Sequence, residues 1–167
     1  MKRQTSPDYP AYYSRRLLAV LTLLCVSCAA WSQMLVYPVQ SFNFGSFYQG
    51  MDGGTVDISA QGSRSATGGI VLINSGASYS QAIFEIDAAE GSIISVLIGP
   101  DIILSGSNGG SMTLRLSNSD PVSPFVTTAV SPARTVVRIG ASLIIGNSSA
   151  SPPGNYSGSF SITFHQE

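Results

Sequence analysis

The chain has 167 residues, 44% of them hydrophobic and only 10% charged, with a formal net charge of −1. Beyond residue 32 it carries four arginines (64, 115, 134, 138), no lysine and eight acids, a formal balance of −4. No basic patch is available for phosphates or anionic lipid, which argues against nucleic acid and anionic membrane surfaces as partners. The periodic Ile, Val, Leu and Phe content argues against disorder.

The first segment reads as an address rather than as fold. Lys2, Arg3, Arg15 and Arg16 precede an apolar run, Leu17–Ala30, and Ala30 and Ser32 lead to a cut at Gln33. A basic front, an apolar middle and a small-residue exit are the plan of a secretory signal. The apolar run has 14 residues, short of the roughly 20 that span a bilayer. A retained anchor helix is the alternative. The expected organisation is therefore a removed signal over 1–32 and one β-sandwich domain over 33–167, without a stable membrane span. The expected location is the periplasm, the outer surface or the medium. Cys25 and Cys28 leave with the signal, so the domain has no disulfide to rely on. A lipoprotein reading would acylate Cys28, but Cys25-Val26-Ser27 lacks a leucine-like residue three positions before it.

In the domain, Gln33–Gln40 is β-prone but holds Pro38, which suits an edge or an extension. Phe42 and Phe44 share a face, and a bulge at Gly45 returns Phe47 to the inner side. Gly50–Gly54 reads as a turn, Val56 and Ile58 as inward, and Gln61–Gly69 as a loop. Ile70–Ile73 is a continuous apolar run, as in a strand covered on both faces. A loop over residues 74–78 follows. Ala82, Phe84 and Ile86 alternate with Gln81, Glu85 and Asp87. Ile94, Val96 and Ile98 form another inner face. Gly99-Pro100-Asp101 is a turn, Ile102–Leu104 a short strand, and Asn108-Gly-Gly110 a hairpin signal. Met112, Leu114 and Leu116 alternate with Thr113, Arg115 and Ser117. Asn118–Pro132 reads as loop with a short strand near Phe125–Val130. Val137, Ile139, Ala141, Leu143 and Ile145 make the longest inner stripe. After a loop over Gly146–Gly154, a strand runs to Phe164, with Tyr156, Phe160, Ile162 and Phe164 on one face. Period-two alternation in about nine short segments predicts an all-β antiparallel sandwich.

Several stretches then resemble a known family. Phe42-Asn-Phe-Gly-Ser-Phe-Tyr-Gln-Gly50 is similar to a "hydrophobic-x-Phe-Gly-x-hydrophobic-x-x-Gly" opening, followed by Gly54-Thr-Val-Asp-Ile-Ser59. Arg64-Ser-Ala-Thr-Gly-Gly69 looks like an "Arg-x-x-x-Gly-Gly" loop. Leu104–Leu114 and Gly154–Phe164 complete the pattern. Together they resemble the DUF4402 family of exported bacterial proteins, itself similar to pilin-like and spore-coat U-like subunits. The resemblance implies an immunoglobulin-like, pilin-like sandwich at the cell surface, and it supplies no catalytic residues. Pilin-like chains often carry a tyrosine one before the end, where this chain has Gln166.

The chemistry-bearing residues have bland readings. His165 is the single histidine, close to the chain end, with no positioned partner visible in the sequence. Glu85 and Asp87 form a same-face pair, either a glycoside-cleaving pair or a wet sheet surface. Asp52-Gly-Gly54 and Asn108-Gly-Gly110 supply oxygens for calcium or simply make turns. Asn147-Ser-Ser149 and Asn155-Tyr-Ser157 fit a glycan-acceptor pattern. Arg64 either contacts a ligand or caps a sheet end. No zinc or P-loop spacing occurs. The expectation is thus no catalytic, cofactor or metal site, and no enzyme. Two roles remain open: a structural or adhesive surface subunit joining other copies or related subunits by β-strand addition, and a monomeric glycan- or ligand-binding module using Tyr48, Tyr79 or Phe125.

Overall fold

The computed structural model describes residues 33–74, 76 and 78–167, so the expected signal over 1–32 lies outside the described residues. Those described hold strands and no helix. The strands are β1 (Leu35–Gln40), β2 (Phe47–Ile58), β3 (Arg64–Leu72), β4 (Ala82–Asp87), β5 (Ile93–Ile98), β6 (Ile102–Gly106), β7 (Ser111–Asp120), β8 (Phe125–Val126), β9 (Thr135–Ile145), β10 (Tyr156–Ser157) and β11 (Ile162–Gln166). All pair antiparallel. The alternation therefore predicts the fold class correctly.

β9 is the spine. Val137, Ile139, Ala141, Leu143 and Ile145 are all buried, and each large aliphatic chain among them contributes roughly 1.5–3 kcal/mol on burial. β7 runs along both halves of β9. β4 pairs with Thr135–Ile139 and β2 with Ala141–Ile145. Because β7 holds one edge throughout, β4 and β2 share the other edge, end to end. β1 extends the sheet beyond β4, β3 beyond β2, and β6 and β10 beyond β7. A second sheet has the order β11-β5-β8. Its inner residues Ile94, Val96 and Phe125 pack with Ala82, Ile86, Val137 and Ile139. A separate cluster gathers Val56, Ile70, Leu104, Met112, Leu114 and Leu143. Phe42, Phe160 and Ile162 pack against both clusters and join them.

The β2–β3 ribbon departs from expectation. Gly50–Gly54 lies within β2, and Arg64–Gly69 within β3, where a turn and a loop were predicted. Arg64–Gly68 pairs with Gly54–Ile58 of β2, which is itself held by β9 on its other edge, and this pairing outweighs the weak strand preference of glycine. The register moves from Gln49 opposite Ile70 to Gly54 opposite Gly68. Four residues of β2 thus face one of β3, and such an insertion bends a ribbon sharply. Gly53 takes φ 70° with a carbonyl of β9 against its α-carbon, leaving no room for a side chain.

Arg64 measures the bend. Its Nη1 donates to the Ile73 carbonyl at 3.3 Å and its Nη2 to the Ser46 carbonyl at 2.8 Å. Nine residues of straight strand would place Ile73 about 30 Å from Arg64, far beyond a side chain's reach. The ribbon therefore curls back on itself, and Arg64 staples its two ends. Phe47 and Leu72, from the far part of the ribbon, pack against the cluster on the main sheet.

Three further expectations change. Ile70–Ile73 is not covered on both faces: Val71 is 63% exposed, because β3 is an edge strand paired only with β2. Ile98 is exposed rather than inward, at the end of β5 where the sheet runs out. The final strand is two strands in two sheets, β10 on β6 and β11 on β5. Its alternation nonetheless persists, with Tyr156, Phe160, Ile162 and Phe164 half-buried and their neighbours exposed.

Candidate functional site

The described residues enclose a cleft of about 1260 Å³. Its floor is Leu104 and Met112, cross-strand partners on β6 and β7, with Leu114 and Leu143, partners on β7 and β9. Partners across a ladder share a face, so these four present one apolar surface. One wall is the segment from Phe42 to Gln49, leading into the curled ribbon. The other is Pro152–Ile162, where the chain passes from one sheet to the other.

The walls are held by specific contacts. Asn43 exchanges both backbone hydrogen bonds with Ser80, and Gly45 N–H donates to Asn43 Oδ1 at 2.9 Å. The Gln49 amide donates to the Gly146 carbonyl at 2.6 Å. Opposite, the Tyr156 hydroxyl donates to the Pro152 carbonyl at 2.5 Å, and Asn108 donates to the Pro153 carbonyl at 2.7 Å. Phe42 meets Phe160 edge-on with ring centroids 5.1 Å apart, closing the cleft at that point. None of the lining residues is charged.

The residues singled out in the sequence are dispersed. Arg64 caps the ribbon, and its guanidinium lies 5.4 Å from the centre of the Tyr79 ring. Burial pulls the Arg64 pKa below its ordinary value, an effect that Tyr79 opposes. Glu85 accepts from Arg134 Nη1 at 2.9 Å. That guanidinium also covers the Tyr37 ring at 3.9 Å and so ties β1 to the sheet. Asp87 lies opposite Leu35. Asp52 lies in the bent part of β2, and Asn108 shapes the β6–β7 turn. Asn147 closes its own loop by accepting from Ala150 N–H at 2.9 Å, while Asn155 N–H donates to Ser107 Oγ at 3.1 Å. Phe125 is buried, so it offers no loop platform. Tyr48 is 70% exposed and lines the cleft.

His165 lies opposite Ser95 on the outer face of the small sheet. The Ser95 hydroxyl donates to Glu167 at 2.8 Å rather than to the imidazole. A serine nucleophile needs its hydroxyl bonded to the base, and that bond is missing here. Among the described residues no three His, Cys, Asp or Glu side chains stand close enough to share a metal ion. No helix among them is long and apolar enough to cross a membrane.

Sequence reasoning named none of the cleft floor as a site. Leu104, Met112, Leu114 and Leu143 read as ordinary core, and core they are. All four are buried, with Phe42, Phe44, Phe47, Tyr156 and Phe160 packed against their cluster. A family profile described as "Domain of unknown function (DUF4402)" matches residues 36–165. No curated protein and no solved structure matches the chain.

Proposed function

The chain belongs to the DUF4402 family, and from the open edges of its sheets we propose that it is an exported, non-enzymatic surface protein. In this reading it is a structural or adhesive subunit that joins other copies or related subunits by β-strand addition. The observation that carries it is the pair of edge strands β1 and β3, each paired on one side only, with Leu35 and Val39 about half exposed on β1 and Val71 63% exposed on β3. An edge strand leaves a row of N–H and C=O groups without a ladder partner, and an extended segment from another chain supplies one. β1 itself is paired at home with β4, with the Gln40 amide donating to the Gln81 carbonyl at 2.8 Å.

The test is native mass spectrometry and light scattering of the secreted protein over a concentration series. The expected result is a processed start at Gln33 and species larger than the monomer. A monomer persisting at the highest soluble concentration overturns the assembly. The second reading is a monomeric module binding a neutral glycan. It is favoured by Tyr48, whose exposed ring at the cleft is placed to stack on a sugar face. Glycan-array binding that Tyr48→Ala abolishes supports this second reading over the first.

A further inference from the structure

Among the described residues, β3 has no strand beside it other than β2. Its far part, Ile70–Leu72, runs opposite Phe47–Gln49. One step further on, the Ile73 N–H donates to the Ser46 carbonyl at 3.0 Å. Opposed residues of an antiparallel ladder alternate between pairs that hydrogen-bond each other and pairs that do not. Val71 and Tyr48 are therefore the next bonded pair, and Ile70 and Leu72 turn their N–H and C=O groups outward, away from β2. The side chains alternate as well. Ile70 is buried and Leu72 packs on the core cluster, whereas Val71 is 63% and Tyr48 70% exposed. As cross-strand partners, Val71 and Tyr48 share the outer face. A bonding edge and an exposed apolar pair thus coincide. Exposed edges are ordinarily blunted by proline or charge. β1 carries Pro38, and Arg134 lies over its Tyr37 ring, but Ser65–Leu72 contains neither proline nor a charged residue.

We infer that β3 is the edge at which two copies of this chain meet, with Ile70–Leu72 of each paired antiparallel about a two-fold axis at Val71. The inference rests on the strand-addition reading above and names both the edge and its occupant. A second copy fits because the segment is complementary to itself. Turned about Val71, Ile70 faces Leu72 of the second copy. Both residues present N–H and C=O groups at the edge, so they exchange both hydrogen bonds, and the symmetry repeats this on the other side of the axis. Val71 faces Val71 of the second copy in a pair that does not hydrogen-bond, where β-carbons come within about 5 Å. The outer face then carries an unbroken apolar row, Tyr48 and Val71 of one copy followed by Val71 and Tyr48 of the other. Neither copy brings a charge into the paired segment, so no ion loses its water there.

The test uses the secreted protein, by cross-linking and by sedimentation over a concentration series. Val71→Cys is oxidised with copper phenanthroline beside wild type and Tyr48→Cys. A disulfide needs α-carbons within about 7 Å. Val71 meets that limit on the axis, whereas Tyr48 lies one strand further out in each copy. Covalent dimer is expected about tenfold faster from Val71→Cys than from Tyr48→Cys, although Tyr48 is the more exposed of the two. Val71→Lys removes the apolar pair and sets like charges opposite each other, which should weaken the dimer about tenfold. Ile103→Lys should leave the dimer unchanged, because Ile103 is 61% exposed on β6, which has partners on both edges. Larger species that ignore Val71→Lys, or equal cross-linking by the two cysteine variants, overturn the β3 edge alone. Strand addition would then stand at β1, where Val39→Lys should weaken the assembly. A monomer at every concentration, with Val71→Cys cross-linking no faster than Tyr48→Cys, overturns the strand-addition reading and the inference together.

Discussion

Arg64, at one end of the curled ribbon, donates to the Ser46 and Ile73 carbonyls at the other, so its removal isolates the energetic value of the curl. Arg64→Met leaves the Ile73 carbonyl without that donor and the Ser46 carbonyl with the Ile73 N–H alone, and the expected loss is about 1–3 kcal/mol in urea unfolding. Arg64→Lys recovers only part of this, because an ammonium does not reproduce the planar fork of guanidinium. Gly53→Ala is expected to cost about 2 kcal/mol or more, since φ 70° penalises any side chain and the β9 backbone blocks its space. The pair Arg115–Asp101 gives a pH test. Hydrogen bonds from Arg115 hold the Asp101 carboxyl below the usual carboxylate range. A carboxyl lowered in the folded state stabilises the fold above the unfolded carboxylate pKa, and loses that contribution as pH falls through the folded value. Wild type should therefore lose stability more steeply than Arg115→Met below about pH 4, in thermal melts from neutral to strongly acidic buffer. Both partners are well exposed, so the difference should be small and shrink with salt. Parallel curves would mean the pair contributes nothing.

At the scale of elements, the C-terminal crossing shows how one alternating sequence serves two sheets. Side-chain alternation depends only on local extended geometry, and it continues from Tyr156 to Phe164. Hydrogen-bond partners depend on what lies alongside, and these change between Ser157 and Ile162. Phe160→Ala should cost about 2 kcal/mol, less than a fully buried phenylalanine because the ring is half-buried. Its loss should also loosen the Phe42 wall, seen as faster amide exchange at Asn43–Ser46. Unchanged exchange there would mean that the two walls are independently held. The same logic explains why the glycine-rich parts of β2 and β3 were misread as turn and loop. Their strand character comes from β9 and from each other, and neither neighbour is visible in a local window.

For the whole molecule, the centre of cooperativity should be β9. It has partners on both edges and its inner stripe is wholly buried. Native-state hydrogen exchange is expected to find the slowest amides over Val137–Ile145 and much faster ones in β1, β10 and β11, which have a partner on one edge only. Uniform protection across these strands would contradict a spine-centred fold.

The all-β class, the inward stripes of β4, β7 and β9, the edge position of β1 and the family were all legible in the sequence, because alternation and turn residues report local geometry directly. The bland reading of Arg64 as a cap was open there too. The curl of the ribbon, the splitting of the last strand and the meeting of the two cleft walls were decided only by the tertiary structure. An alternating segment carries the same inward signal whichever strand lies beside it, so its partners depend on the placement of strands far away in the chain, which no local pattern encodes.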